Sequence, residues 1–233
     1  MGCDIHFAVE KKVDGAWQSV DKWKREEGED YTNISNYGNA FYDGRNYRLF
    51  SILADVRNGV GFAGCDTGNY INPICSPKGI PEDASEEVAE WVESFGCDGH
   101  SHSHFTVKEL LAYDWTQVAT SRGFVSAKEY MRFKLEGKPD SWCGGIGGGN
   151  IKILPVEEMD AIVQEDQTEK ELFGWRYYHA LEHSTPEVEG LYTQVEWQTP
   201  YYELAIHFLS ETIFRMIALG KHDEVRCVFF FDN

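Results

Sequence analysis

Basic residues are scarce in this sequence, which has 21 Lys and Arg against 39 Asp and Glu and a formal net charge of -18. Proteins that bind a nucleic-acid backbone need a Lys/Arg surface that displaces counterions. We therefore expect no direct binding to a nucleic-acid backbone. The acidic balance fits a protein that binds a cation or presents an acidic surface to a basic partner.

The sequence also lacks the usual marks of membrane and secreted proteins. No run approaches the roughly 18 apolar residues that span a bilayer, so we expect no membrane association. Six cysteines are scattered without CxxC spacing, and no signal peptide precedes the strand-like first residues, which favours reduced thiols in the cytoplasm. The start Met-Gly-Cys is not an acylation signal, because His6 stands where that signal needs Ser or Thr.

Strand patterns are clearest at the two ends of the chain. Alternating residues at 3–11 and 16–20 flank Asp14-Gly15 and predict a hairpin. The apolar run in EVRCVFFFDN predicts a central strand that is covered on both faces. Two further strands are predicted at 175–183 and 191–198, where aromatic residues alternate with polar ones.

Helix signals lie between these strands. Residues 47–59 have apolar side chains at helical spacing and are predicted to stop at Asn58-Gly59. Asp83 is predicted to cap a second helix. Thr106 and Glu109 predict a capping box that opens a helix over 107–119. Together these patterns predict a single α+β domain of residues 1–233, with a mixed, mostly antiparallel sheet, several packed helices, long loops and a flexible insert around 137–150.

The sharpest chemical feature is a histidine cluster in the stretch CDGHSHSHF. If this stretch is extended, its alternate residues share one face, and some of them can meet polar residues of the first strand. Such a set would suit zinc or manganese. The candidate ligands are Asp4, His6, Asp98, His100 and His102. In the alternative interpretation, the histidines and serines of a polar loop bond only to their neighbours.

Polar residues at the ends of apolar elements predict a second kind of site. If the first and last strands are neighbours at the sheet centre, Asp4 and Asp232 lie near one another. A pocket beside them would suit a small polar, nucleotide-like ligand, with arginines to hold its phosphate or carboxylate. The candidate ligand-binding residues are Arg45, Tyr47, Asp55, Arg57, Asn58, Ser101, Trp115, Asp232 and Asn233.

Several sequence blocks, spread from the first residue to the last, resemble a family of uncharacterised phage and bacterial proteins. The blocks are MGCDIH, GRNYRLFSILADVRNG, PKGIPEDASEEV, CDGHSHSHFTVKELLAYDW and VRCVFFFDN. Residues 120–200 are the least similar part. The resemblance implies the cytoplasm of a bacterial cell and a phage genome as the setting, and it brings no activity or cofactor with it.

Three functions are compatible with these features. In the first, the protein sequesters or degrades a nucleotide-like molecule, for which phage counter-defence would be a natural context. In the second, it is a metal-dependent hydrolase, acting for example on a phosphoester, with a metal-bound water as nucleophile. In the third, it is an acidic interaction module that blocks a host defence protein. The charge favours the third only weakly, because a charge mimic needs neither clustered histidines nor aromatic-rich blocks.

Overall fold

The structure is a computed structural model that describes residues 2–171 and 189–233. The strand predicted at 175–183 lies outside the described residues. Within the described part of the chain, no helix is both long enough and apolar enough to cross a membrane.

The described residues combine helices with mostly antiparallel sheets, which confirms the predicted α+β class. The strands are β1 (Asp4–Val13), β2 (Ala16–Ser19), β3 (Trp23–Lys24), β4 (Thr32–Asn33), β5 (His100–Thr106), β6 (Val118–Ser126), β7 (Lys152–Ile153), β8 (Leu191–Pro200) and β9 (Val225–Asp232). The α-helices are α1 (Tyr47–Ala54), α2 (Glu86–Ser94), α3 (Val107–Ala112), α4 (Ala127–Glu136), α5 (Val156–Glu171), α6 (Tyr201–Leu204) and α7 (Phe214–Ile217). A π-helical segment, Phe208–Ile213, lies between the last two.

Contacts within the chain group it into two compact units. The first unit consists of Met1–Asn58, Tyr70–Gln117 and Pro200–Asn233, and the second of Gly59–Asn69 and Val118–Thr199. The single domain over residues 1–233, with a flexible insert around 137–150, stays a prediction.

The first unit is built around one antiparallel sheet in the order β2-β1-β9-β5. Its strand β9 alternates between two cores, which confirms the prediction of a central strand covered on both faces. Cys227 and Phe229 pack with α1 on one face. Val228 and Phe230 pack with Trp91 of α2 on the other. Asp14 and Gly15 take positive φ angles of 51° and 87° between β1 and β2, as the predicted hairpin requires.

The second unit has a sheet in the order β6-β8-β7. Its core joins Tyr130 of α4 and Met159 of α5 to Trp197 of β8. The glycine-rich loop after α4 approaches another loop closely, since a Cβ on Gly145 would lie 2.7 Å from Cys65 Sγ. A side chain at position 145 would therefore displace the Cys65 thiol.

Three helix boundaries differ from the sequence prediction. Helix α1 ends four residues before Asn58, because Asp55 adopts the left-handed conformation with a φ of 60°. Helix α3 opens with the predicted capping box at Thr106 but ends at Ala112, since Tyr113 is extended. The residue at the N-cap of α2 is Ser85 and not Asp83.

Asp83 binds a buried arginine instead of capping α2. Arg226 of β9 donates to Asp83 Oδ1 at 2.7 Å and to Glu10 Oε2 at 2.6 Å. Glu10 lies opposite Arg226 in the β1–β9 register, is fully buried, and also accepts from the Ser85 amide at 2.6 Å. This pair therefore ties the sheet to the start of α2.

We predict that Glu10→Gln lowers the free energy of unfolding by about 3 kcal/mol, because it leaves a buried guanidinium short of one counter-charge. Urea unfolding of the purified protein measures the loss. The matched control is Arg25→Met, which breaks a more exposed ion pair with Glu90 and should cost less than about 1 kcal/mol. Equal losses in the two variants would contradict a structural role for Glu10.

A second carboxylate, which is half-buried, lies in the bend after β2. Asp21 Oδ2 accepts from the Val9 amide at 2.7 Å. The side-chain amide of Asn33 approaches this carboxylate and, like the Val9 amide, lowers its pKa. Burial raises the pKa of Asp21 from 3.8 to about 6, against the lowering effect of the Val9 hydrogen bond.

We predict that Asp21 makes the protein less stable as the pH rises from about 4 to about 6. In this window the unfolded carboxyl loses its proton while the folded one keeps it, so proton release favours unfolding by up to about 3 kcal/mol. The advantage of Asp21→Asn over the wild type in free energy of unfolding should therefore grow across this window. The exposed Asp14→Asn serves as the control. A pH-independent difference for the Asp21 variant would refute the prediction.

Candidate functional site

Three strand ends meet at one end of the first unit's sheet. Asp4, at the start of β1, is the register partner of Asp232 at the end of β9. On the other side of β9, His100 at the start of β5 pairs with Phe231. The expected proximity of Asp4 and Asp232 is therefore present, and the segments at 4–6, 100–104 and 232–233 converge.

A β-bulge at Ser101 divides the histidine cluster. The register of β5 against β9 shifts between His100 and Ser103, and Ser101 has a φ of 52°. As a result His100 stacks on Phe231, with ring centroids 6.1 Å apart, while His102 stacks on Phe230 at 5.4 Å. Neighbouring residues of a strand point to opposite faces. The expectation that His100 and His102 share a face is wrong, because the bulge inserts one extra residue.

The face of the sheet toward α2 carries the two opposed carboxylates. Like charges directly opposite each other in a ladder repel unless they are compensated. Arg45 binds both oxygens of Asp4, at 2.7 and 2.6 Å, and lowers the pKa of Asp4. Asp232 Oδ2 lies 3.3 Å from the buried His6 Nε2, although the two are not aligned as a hydrogen bond. On this face Arg45 therefore compensates the charge of Asp4.

The five predicted metal ligands do not form one cluster. Asp98 is exposed in the turn after α2, and His100 lies on the opposite face from His6 and His102. Among residues 2–171 and 189–233, no three His, Cys, Asp or Glu side chains are grouped to hold a metal ion. A zinc or manganese site stays a prediction from the sequence.

The opposite face contains an open pocket of about 540 Å³ beside the end of α1. Its lining is Asp55, Val56, Arg57, His100, Ser101 and Asn233. Five described non-glycine residues have a positive φ, and three of them lie in this lining, namely Asp55, Arg57 and Ser101. Such conformations store strain and often concentrate at functional sites.

A chain of hydrogen bonds crosses this pocket. Arg57 Nη2 donates to Asn233 Oδ1 at 3.1 Å. This contact orients the amide, so that Asn233 Nδ2 donates to His100 Nε2 at 3.0 Å. Because Nε2 accepts, the imidazole proton lies on Nδ1 and is donated to Ser101 Oγ, 3.0 Å away. The Ser101 hydroxyl proton is then not used within this chain of hydrogen bonds.

Burial sets the protonation of the groups around this chain. Burial lowers the pKa of His100, helped by the Arg57 charge and opposed by Asp232. The imidazole is therefore neutral, in agreement with its hydrogen bonds. Burial also raises the pKa of the Cys3 thiol, and the hydrogen bond from Arg57 opposes that rise. Cys3 accordingly stays a protonated thiol.

The remaining predicted ligand-binding residues have contacts that support the fold. Asn58 accepts from the Ile71 amide and donates to its carbonyl, both at 2.7 Å. Tyr47 Oη accepts from the Cys3 amide at 3.1 Å. Trp115 packs against the main core and donates to the Leu110 carbonyl. Neither Asn58, Tyr47 nor Trp115 lines the pocket, and Arg45 is bound to Asp4 outside it.

The sequence interpretation missed a second cavity of about 370 Å³, between residues 40–46 and 204–215. Its lining includes Tyr42, Asp43, His207 and Glu211. Residues 21–47 are mostly polar, with Gly, Asn and Tyr interleaved, which is typical of a long loop. That stretch was the available signal, because long loops in compact units are often functional. No feature of the sequence predicted the π-helical segment Phe208–Ile213, which forms the other wall of this cavity.

Comparisons with protein-family models, with curated proteins and with solved structures found no match to this chain. The α+β class therefore rests on the structure itself. The resemblance to a phage and bacterial family stays a prediction.

The strain at Ser101 can be measured with a matched pair of variants. Ser101→Gly and Ser101→Ala both remove the hydroxyl, but only glycine adopts a φ of 52° without a steric penalty. We predict that Ser101→Gly is more stable than Ser101→Ala by about 1 kcal/mol in free energy of unfolding. Chemical denaturation measures the difference. Equal stability would show that the bulge is not strained.

Proposed function

We propose that the pocket beside α1 binds a small, nucleotide-like anion. The observation that carries this proposal is the convergence of Arg57, Ser101 and Asp55 on one open cavity. The first two are hydrogen-bond donors and the third is an acceptor. A nucleotide needs both, because its phosphate accepts hydrogen bonds while its sugar hydroxyls and base amines donate them.

The donor side of the pocket suits a phosphate or carboxylate. Arg57 is a guanidinium, whose planar fork matches the geometry of such anions. The hydrogen-bond order described above leaves the Ser101 hydroxyl proton available to a ligand. His100 is neutral and already bonded on both nitrogens, so it orients Ser101 and adds no charge of its own.

The acceptor side is Asp55, held in place at the end of α1. Its Oδ1 accepts from Asn58 Nδ2 at 2.7 Å, and the Tyr70 hydroxyl also bonds to it. Lone pairs left on this carboxylate suit a hydroxyl or an amine. The volume of about 540 Å³ lies in the usual range for small-molecule sites.

Backbone strain supports a ligand role for these side chains. Glycine would relieve the positive φ angles of Asp55, Arg57 and Ser101. Each of these positions instead carries a functional group that faces the same cavity. Such strain lowers the stability of the fold, and it is typically retained where the side chain has a function.

The net charge of -18 restricts the size of the ligand. A long polyanion would be repelled by the surface around a single arginine. A mononucleotide or a cyclic nucleotide carries few charges and escapes most of this repulsion. The proposed role is therefore to sequester or process such a molecule, and phage counter-defence in a bacterial cytoplasm remains the proposed context.

We predict that at least one member of a panel of mononucleotides and cyclic nucleotides binds, and that Arg57→Met weakens the binding. Loss of a hydrogen bond from a charged group costs about 1.5–3 kcal/mol, which is roughly 10- to 100-fold in Kd. Isothermal titration calorimetry measures the affinity.

Arg25→Met is the matched control, because Arg25 is paired with Glu90 away from the pocket. It should leave the Kd unchanged. The matching nucleoside without phosphate should bind more weakly than the nucleotide. A panel without any binder, or equal affinity of the wild type and Arg57→Met, would refute the proposed function.

A further inference from the structure

The pocket contains the parts of a serine nucleophile. Ser101 Oγ lies 3.0 Å from His100 Nδ1, and the other ring nitrogen lies 3.0 Å from the Asn233 amide. A hydroxyl, a base within hydrogen-bond reach and a third group that orients the base form the general arrangement of nucleophilic catalysis. Arg57 supplies a positive charge in the same cavity.

Two further observations fit this role. Nucleophilic serines often sit on sharp, strained turns that expose their oxygen, and Ser101 has a φ of 52° at a bulge. The lowered pKa of His100 also keeps its ring neutral, as a general base must be before it accepts a proton.

The hydrogen bonds described above, however, run in the wrong direction for attack. Arg57 holds Asn233 Oδ1, so Asn233 donates to His100 and the imidazole proton lies on Nδ1. A ring nitrogen that donates to Ser101 cannot take its proton. The serine is therefore inactive as long as Arg57 holds the amide.

We propose that Ser101 is a nucleophile that His100 and Asn233 activate only when an anionic ester draws Arg57 away from Asn233. Once released, the Asn233 amide turns over and presents Oδ1 to His100 Nε2. The imidazole proton then resides on Nε2, and Nδ1 accepts the hydrogen bond from Ser101. This inference rests on the proposed binding of a small anion at Arg57.

The reaction is a transfer of the substrate's phosphoryl or acyl group. Ser101 Oγ forms a bond to the phosphorus or carbonyl carbon while its proton passes to His100 Nδ1. The bond to the leaving oxygen breaks, and that oxygen takes the proton from His100. Water then attacks the Ser101 ester, gives one proton to His100, and releases the acid as Ser101 regains its proton. The substrate class is a small phosphodiester or carboxylic ester with a second anionic group for Arg57.

The substitution Asn233→Asp tests this switch directly. An aspartate has two acceptor oxygens, so it can bind Arg57 and also accept from His100 Nε2 without turning over. The Ser101 hydroxyl should then be activated even without a ligand. We expect a fluorophosphonate to label Asn233→Asp roughly 100-fold faster than the unliganded wild type, the usual scale of general-base assistance. Intact-protein mass spectrometry measures the rate.

Two variants identify the labelled residue and its base. Adding Ser101→Ala or His100→Gln to Asn233→Asp should abolish the labelling. The matched controls are Ser141→Ala, at an exposed serine of the second unit, and His222→Gln, at an exposed histidine. Both should leave the labelling rate of Asn233→Asp unchanged.

The position of the imidazole proton gives a readout that is independent of reactivity. Nitrogen-15 NMR should show the proton of His100 on Nδ1 in the wild type and on Nε2 in Asn233→Asp. If the proton does not move, or if it moves and Ser101 is still not labelled faster, the proposed nucleophile is refuted. Calorimetric binding of a nucleotide by the wild type is independent of this result. If no nucleotide binds, the proposed function itself is refuted.

Discussion

The pairing of β9 with β1 on one side and β5 on the other is the constraint on which the rest of the first unit depends. Because the strand is bonded along both edges, its side chains can only point into the two cores above and below it. Phe229 and Phe231 enter one core, and Phe230 enters the other. The same register places Glu10 opposite Arg226 at one end of the sheet and Asp4 opposite Asp232 at the other. A structural ion pair and a polar cluster thus follow from one alignment.

One extra residue in β5 determines which histidines share a face at the polar end of this sheet. Without the bulge at Ser101, the alternate histidines would lie on one face, as a metal site requires. With it, His102 stacks on Phe230 and stays with the aromatic core, while His100 turns toward Arg57 and Asn233. The bulge therefore replaces a potential row of ligands with a single imidazole inside a hydrogen-bonded chain.

Local signals in the sequence predicted local structure well. The capping box at Thr106, the turn at Asp14-Gly15 and the apolar strand β9 all depend on neighbouring residues, and all are present. One error arose where a distant partner intervened. Asp83 resembles a helix cap but binds Arg226, which is 143 residues away. Among the site residues, Arg57, Ser101 and Asn233 were identified by type, but Asn58 and Trp115 proved to hold loops and core in place.

The sequence by itself determined the α+β class, the central strand and the inventory of polar groups at the element ends, because periodicity and turn chemistry act over a few residues. Only the tertiary structure decided which of these groups meet. The register of β9 and the bulge at Ser101 each depend on pairing between strands that are far apart in the chain. MGCDIH accordingly contributes Asp4 and His6 to the face toward α2, while the pocket forms on the other side of the sheet.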